Sequence, residues 1–114
     1  MPQRLPQPDD LIVEQAKITQ YLLDLRHHDG ASKARFFMAM GFDANDWQAM
    51  AAALLAHGRM RDVVNERRSE FGVKFVVRCA LDTPDKKNPC IDSVWIAEGG
   101  AAPRLVTAYP HHER

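Results

Sequence analysis

The first quarter of the chain carries apolar residues at helical spacing. These positions are Leu11, Ile18, Leu22 and Leu25. Side chains at such intervals share one face of a helix. Asp9 or Asp10 can cap this helix, because a carboxylate accepts hydrogen bonds from the free N–H groups of a first turn. The polar run 26–29 and Gly30 interrupt the pattern, so we predict a first helix that ends before Gly30.

A short second helix is predicted between residues 32 and 40. Ser32 can cap it, and Gly41 ends it because glycine readily adopts the left-handed conformation that follows a helix. Its predicted core-facing stripe contains Lys33, Phe36, Phe37 and Met40. The Lys33 amine either extends to the edge of that stripe or is held in a cleft beside a partner. Lys17 poses the same question, with Tyr21 one turn further along.

The third helix is predicted from a cap at Asp43 or Asn45 to His57 and Gly58. Its apolar stripe contains Trp47, Met50, Ala51 and Leu54. The negative end of the helix dipole lies at His57, where it favours an imidazolium that titrates near neutral pH. Such a group suits a general acid or base, although a capping or solvated histidine fits the same position.

After Gly58 the hydrophobic pattern changes from helical spacing towards alternation. Alternating apolar residues predict strands over 72–82, 91–97 and 104–109, and the polar segment 62–67 is a fourth candidate. Segments 83–89 and 98–103 have the composition of turns. Short connections favour antiparallel neighbours. The predicted fold is therefore α+β, with three N-terminal helices packed on a three- to four-stranded antiparallel sheet.

The length of 114 residues fits one domain, predicted over residues 10–110. The proline-rich segment 1–9 is expected to be an extended arm, and 111–114 a short polar tail. Fifteen basic and fifteen acidic side chains give no net charge, so binding to nucleic acid would need a local basic patch. With no long apolar run and no secretory signal, we expect a cytoplasmic protein without a membrane span.

The cysteines and histidines give little support for a disulfide framework or a metal site. Cys79 and Cys90 are the only cysteines. Cys79 falls on the apolar face of its strand and is expected to be a small core residue, opposite Ser93 in the predicted hairpin. The adjacent pairs 27–28 and 111–112 lack the ligand spacing of a zinc site, and we expect solvent-exposed histidines. No metal and no cofactor are predicted.

The last predicted strand contains Arg104, Thr107 and Tyr109. Thr107 and Tyr109 share a face, whereas Arg104 points to the opposite face unless the strand is bulged. A guanidinium, a hydroxyl and a phenol beside a cleft can hold a phosphate. A half-buried structural role for Tyr109 explains the same pattern equally well.

Several segments together resemble a bacterial domain family whose members occur as small proteins and at the C-terminal ends of large secreted toxins. The matching segments are KITQYLL at 17–23, GASKARFF at 30–37, GF at 41–42, VWI at 94–96 and PRLVTAYP at 103–110. That family is in turn similar to the ribonuclease toxins that include barnase, EndoU-type, colicin and RelE-like enzymes. The resemblance implies helices packed on a four-stranded antiparallel sheet, with a threonine and an aromatic residue on the last strand beside the active cleft.

The resemblance implies a metal-independent RNA-cleaving or RNA-binding toxin-type domain, neutralised by a cognate antitoxin or immunity protein. Its implied catalytic residues are His57, Lys33, Arg104, Thr107 and Tyr109. Its implied RNA-binding residues are Lys17, Lys74 and Arg78. In this scheme His57 or Lys33 takes the ribose 2′-OH proton and Arg104 stabilises the transition state. The alternative is a non-catalytic protein-interaction module, or an antitoxin or immunity-type partner.

Overall fold

Short helices precede a four-stranded antiparallel sheet in the computed structural model, which describes residues 3–111. Helix α1 spans Gln15–Lys17 and continues as a π-helical segment, Ile18–Leu22. Helices α2 and α3 span Ala31–Ala39 and Trp47–Met60. The strands are β1 Asp62–Ser69, β2 Gly72–Ala80, β3 Cys90–Ala97 and β4 Arg104–Pro110. Neighbouring strands pair in the order β1-β2-β3-β4, which confirms the α+β class and the antiparallel sheet.

The structure corrects the start of the first two predicted helices. The backbone at Ile12 pairs with β4, since its N–H donates to Pro103 O at 3.0 Å and its carbonyl accepts from Leu105 N at 2.9 Å. This extended segment postpones α1 to residue 15 and leaves the expected aspartate caps in a separate 3-10 turn, Pro8–Asp10. Helix α2 begins one residue before the predicted cap Ser32. No helix within residues 3–111 is long and apolar enough to cross a membrane.

The hydrophobic core lies between the helices and one face of the sheet, called here the inner face. Six buried apolar residues of β2, β3 and β4 point to this face: Phe75, Val77, Ile91, Trp95, Leu105 and Ala108. Helix α3 packs directly on Trp95, because a Cβ at Gly58 would lie 2.7 Å from the indole ring. Glycine at this position therefore lets the helix approach the sheet closely.

The opposite side of the sheet, the outer face, carries polar and charged residues in rows across the strands. Asp92 lies opposite both Arg78 on β2 and Tyr109 on β4. The pairing of β3 with β4 shifts by one residue between Val94 and Trp95. This bulge places Arg104 on the same face as Tyr109, the arrangement that the sequence allowed only for a bulged strand.

Cys79 departs from the sequence prediction. It lies opposite Ile91 and not opposite Ser93, and its side chain is exposed instead of contributing to the core. Its backbone has φ of 144°, a conformation that rotates the residue out of the regular alternation of β2. Both cysteines are free thiols. Burial and the neighbouring Cys79 thiol raise the pKa of Cys90 to about 12.

The N-terminal segment lies against the domain. Leu5 is 2% exposed, and Gln3 forms an antiparallel bridge with Val63 on β1. The Arg4 guanidinium also pairs with the Asp62 carboxylate. Of the predicted tail 111–114, only residue 111 lies within the described part of the chain.

Candidate functional site

Three segments that are distant in sequence meet around the side chain of Tyr21. Its hydroxyl lies 2.9 Å from Thr107 Oγ1 on β4. The amines of Lys17 on α1 and Lys33 on α2 each lie 5.5 Å from the centroid of its ring. His27 approaches the same ring edge-on, with 5.0 Å between centroids. We call these five residues the Tyr21 cluster.

Local structure explains why the two lysines reach one phenol ring. Lys17 and Tyr21 are four residues apart, so the amine extends over the ring from one turn earlier. Gly30 allows α2 to start against α1, because a Cβ there would lie 2.4 Å from the Tyr21 carbonyl oxygen. One turn into α2, Lys33 Nζ donates to Asp29 O at 3.2 Å. Close approach of the two helices therefore brings the second cation to the ring.

Two hollows border the cluster. The larger one has a volume of about 420 Å³ and is lined by Ser32, Lys33, Tyr109 and Pro110. The second measures about 300 Å³ and is lined by Glu14, Ala16, Lys17, Gln20 and Tyr21. Among the described residues no carboxylate lies within 4.0 Å of either lysine amine. Each hollow thus contains one tyrosine and one ammonium group with no carboxylate of residues 3–111 within 4.0 Å, an arrangement suited to bind an anion.

The predicted site residues on the sheet divide between this cluster and other positions. Tyr109 lines the larger hollow together with Lys33, so the structure brings these two together. Arg104 shares the outer face, but its guanidinium pairs with the exposed Glu98 towards the β3–β4 turn. Lys74 is exposed on β2, opposite Ile96 on the outer face. Neither Arg104 nor Lys74 lines either hollow.

Arg78 was predicted to bind RNA, and the structure shows its guanidinium, on a side chain that is 37% exposed, paired with Asp92. Its Nε and Nη2 donate to the two carboxylate oxygens of Asp92 at 2.7 and 3.2 Å. The hydrogen bonds that Arg78 donates to this carboxylate raise the pKa of Arg78. Because the Asp92 side chain is 6% exposed, removing the guanidinium would leave a buried carboxylate without its main partner.

His57 lies in the core and not in the Tyr21 cluster. It is 2% exposed, with Nδ1 at 2.8 Å from Ser93 Oγ and Nε2 at 2.9 Å from Cys79 O. Trp95 Nε1 donates to the same serine hydroxyl at 2.8 Å. From the helix dipole we expected an imidazole that titrates near neutral pH, or a capping or solvated histidine, but burial lowers the pKa of His57 below its ordinary value. Desolvation outweighs the dipole, and the residue is a neutral link between α3 and the sheet.

Sequence reasoning missed the contributions of Tyr21, His27 and Gly30. The four-residue spacing between Lys17 and Tyr21 was a usable signal, because it places an amine and a ring on one helix face. The polar stretch ending in Gly30 indicated only a turn. That this turn brings α2 onto Tyr21 depends on tertiary packing, which no local pattern records.

A group of potential metal ligands lies next to the cluster. Ligand atoms of His27, His28 and Asp29 lie within 4.8 Å of one another, which identifies the one such group among residues 3–111. His27 Nδ1, however, accepts hydrogen bonds from the backbone N–H groups of Asp29 and Gly30 at 3.1 and 3.0 Å. This leaves the proton on Nε2, so neither ring nitrogen offers a free lone pair to a metal ion. These residues do not fit a metal centre.

Comparison with known proteins identifies the fold and then the family. One chain of a structure described as a contact-dependent growth inhibition toxin–immunity protein complex from Klebsiella pneumoniae 342 matches with a TM-score of 0.71. The match covers 88% of this chain and 99% of that chain, at 16% sequence identity, and so shows a shared fold. No curated protein matches the sequence. Residues 4–112 match the family described as a domain of unknown function, DUF6883, and the chain belongs to that family.

Proposed function

We propose that this protein is a metal-independent RNA-cleaving domain of the toxin type, with its phosphate site at the Tyr21 cluster. The proposal rests on one observation: the amines of Lys17 and Lys33, on separate helices, approach the ring of Tyr21, whose hydroxyl is hydrogen-bonded to the last strand. The larger hollow beside Lys33 and Tyr109 supplies room for a phosphodiester and its flanking groups. The shared fold with a chain of a toxin–immunity complex supports the toxin class.

In the proposed reaction the ribose 2′-oxygen attacks its own phosphorus and displaces the 5′-oxygen of the next nucleotide. Negative charge then grows on the phosphoryl oxygens, where Lys17 and Lys33 stabilise it more strongly than in the ground state. Thr107, held by Tyr21, orients the phosphate, and Tyr109 gives a proton to the departing 5′-oxygen. Because the nucleophile is a 2′-hydroxyl, the substrate class is RNA and not DNA.

Removal of one cluster amine tests the proposal. We expect Lys33→Ala to lower kcat/KM for cleavage of a fluorescent RNA by about 100-fold or more, because it removes a transition-state charge. Lys87→Ala, on the exposed turn after β2, is the matched control and should cleave as the natural protein does. Cleavage should persist in EDTA and cease when the RNA carries 2′-O-methyl groups. Equal cleavage by K33A, K87A and the natural protein would overturn the proposed site.

Two features favour a second candidate, an immunity-type or other non-catalytic partner protein. The chain has no net charge, and the structure with the similar chain contains both a toxin and an immunity protein. Expression in a bacterial host separates the candidates. A toxin slows growth by acting on RNA in the cytoplasm. The K33A substitution and the cognate immunity protein should each restore growth. A partner protein leaves growth unchanged and instead protects cells from its cognate toxin.

A further inference from the structure

We propose that His111 is the general base of the reaction, with Asp92 as the residue that positions it. This inference rests on the proposed function and supplies the group that the Tyr21 cluster lacks, an acceptor for the 2′-OH proton. A general base needs a ring nitrogen with a free lone pair at the site. The four described histidines differ in which nitrogen carries the proton, and this difference selects among them.

Two of the histidines have no nitrogen lone pair available. His57 is buried, and its Nε2 must donate to the Cys79 carbonyl, which leaves Nδ1 to accept from the Ser93 hydroxyl. His27 accepts two backbone hydrogen bonds at Nδ1, so its Nε2 also carries the proton. In the Tyr21 cluster His27 can therefore donate a hydrogen bond but cannot accept the 2′-OH proton at either nitrogen.

The remaining two histidines both lie near a carboxylate, His28 through Nε2 and His111 through Nδ1. His28 has Nε2 at 3.2 Å from Asp29 Oδ2, and its ring stacks on His27 with 5.2 Å between centroids, but its side chain is 87% exposed. His111 has Nδ1 at 3.7 Å from Asp92 Oδ2, and its side chain is only 19% exposed. A carboxylate at Nδ1 favours the tautomer with the proton there, which leaves the Nε2 lone pair directed away from Asp92.

The position of His111 follows from the sheet. Its backbone N–H donates to Cys90 O at 3.0 Å, which continues the β3–β4 pairing one residue beyond Pro110. Residues two apart on a strand share a face and lie about 6–7 Å apart, so His111 follows Tyr109 along the outer face. Tyr109 and Pro110 line the larger hollow, and His111 is the next residue along the chain.

Charged groups around His111 come from two neighbouring strands. Asp92 on β3 is buried and already receives two hydrogen bonds from Arg78 on β2. Arg78 thus holds the carboxylate in one orientation and compensates part of its charge. The Cys90 thiol is uncharged at neutral pH, because burial raises its pKa to about 12. This arrangement gives the His111 imidazole a carboxylate partner in a fixed orientation.

The proposed step balances in atoms and protons. His111 Nε2 takes the 2′-OH proton as the 2′-oxygen bonds to phosphorus, and the bond from phosphorus to the 5′-oxygen breaks. Tyr109 supplies the proton that the 5′-oxygen gains. The products are a 2′,3′-cyclic phosphate and a 5′-hydroxyl end. Transfer of the proton from the His111 imidazolium through water to the Tyr109 phenolate restores both residues.

The first test measures cleavage and binding in the full chain. We expect His111→Ala to lower the cleavage rate by about 100-fold or more, and to leave the affinity for 2′-O-methyl RNA within twofold. Added imidazole should restore part of the lost rate, an effect that a structural role does not produce. Lys87→Ala, on the exposed turn after β2, is again the control and should cleave normally.

The second test does not depend on activity. In the natural protein, nitrogen-15 chemical shifts of the neutral imidazole rings should show His111 protonated at Nδ1, whereas His27 and His57 are protonated at Nε2. Asp92→Asn should abolish the preference of His111. Normal cleavage by H111A together with loss of cleavage in K33A overturns the role of His111 and leaves the proposed function intact. An Nε2-protonated His111 overturns the positioning by Asp92. Absence of RNA cleavage by the natural protein overturns both proposals.

Discussion

Replacing His57 tests whether this histidine holds the core together or takes part in chemistry. In His57→Ala, the Cys79 carbonyl loses its donor and the Ser93 hydroxyl keeps only its bond from Trp95. A buried acceptor left without a partner costs about 1–3 kcal/mol. The empty ring volume adds roughly 2 kcal/mol, as for other large-to-small changes at fully buried positions. The two contributions sum to about 3–5 kcal/mol, a large part of the ~5–15 kcal/mol that stabilises a typical domain.

Urea unfolding followed by tryptophan fluorescence measures this cost, because Trp95 lies in the same hydrogen-bond network. His28→Ala is the control: its side chain is 87% exposed, and its free energy of unfolding should change by less than about 0.5 kcal/mol. An H57A protein as stable as the natural one would refute the structural interpretation. A stable H57A protein that had lost RNA cleavage would instead support the catalytic role that the sequence indicated.

Three further predictions concern stability. Because burial lowers the pKa of His57, the unfolded chain binds a proton at acidic pH that the folded chain does not. The free energy of unfolding should therefore be constant above about pH 6.5 and decrease below it, by up to about 1.4 kcal/mol per pH unit. Urea titrations of H57A should lack this dependence. Gly72→Ala places a Cβ 2.3 Å from a β3 carbonyl oxygen, whereas Gly99 also has positive φ but open space around it. Gly72→Ala should therefore lower the melting temperature markedly more than Gly99→Ala. Equal effects would show that the backbone conformation alone determines the cost. Arg78→Ala leaves the buried Asp92 carboxylate without its main partner and should lower the free energy of unfolding by about 1–3 kcal/mol. Arg104→Ala breaks an exposed ion pair and should lower it by less than about 1 kcal/mol. Urea unfolding midpoints of the two variants would confirm or reverse this ranking.

Alternation and turn composition were sufficient to predict much of the sheet. Strand β2 alternates more and less buried positions, whereas β3 is buried at five consecutive residues and β4 contains a bulge. Short polar turns join the three strands, so their antiparallel order follows from the sequence. Strand β1 was harder to predict because only Val63 is buried along it, and its remaining residues are exposed. Its strand conformation comes from pairing with β2 and from the bridge to Gln3, neither of which leaves a local signal.

The candidate site was predicted in part. Lys17, Lys33, Thr107 and Tyr109 were all selected from the sequence, and the structure places them around Tyr21 or the adjoining hollow. For His57, the position at a helix end favours a charged imidazole, whereas burial lowers its pKa and favours the neutral form. Its burial under the sheet, which outweighs the dipole, is set by residues far away in sequence.

The hydrogen bond between Tyr21 and Thr107 joins two elements that each contain an irregularity of one residue. Tyr21 lies in the π-helical segment of α1, and Thr107 directly follows the residue that bulges out of β4. Segments of this kind arise when a single amino acid is inserted into a regular helix or strand. Deleting one residue from 18–20 would turn the phenol by about 100° around the helix axis, and deleting Val106 would remove the bulge together with the local bend of β4. The bond therefore depends on the lengths of these two segments as well as on the identities of its two residues, and relatives that retain it should vary in composition here before they vary in spacing.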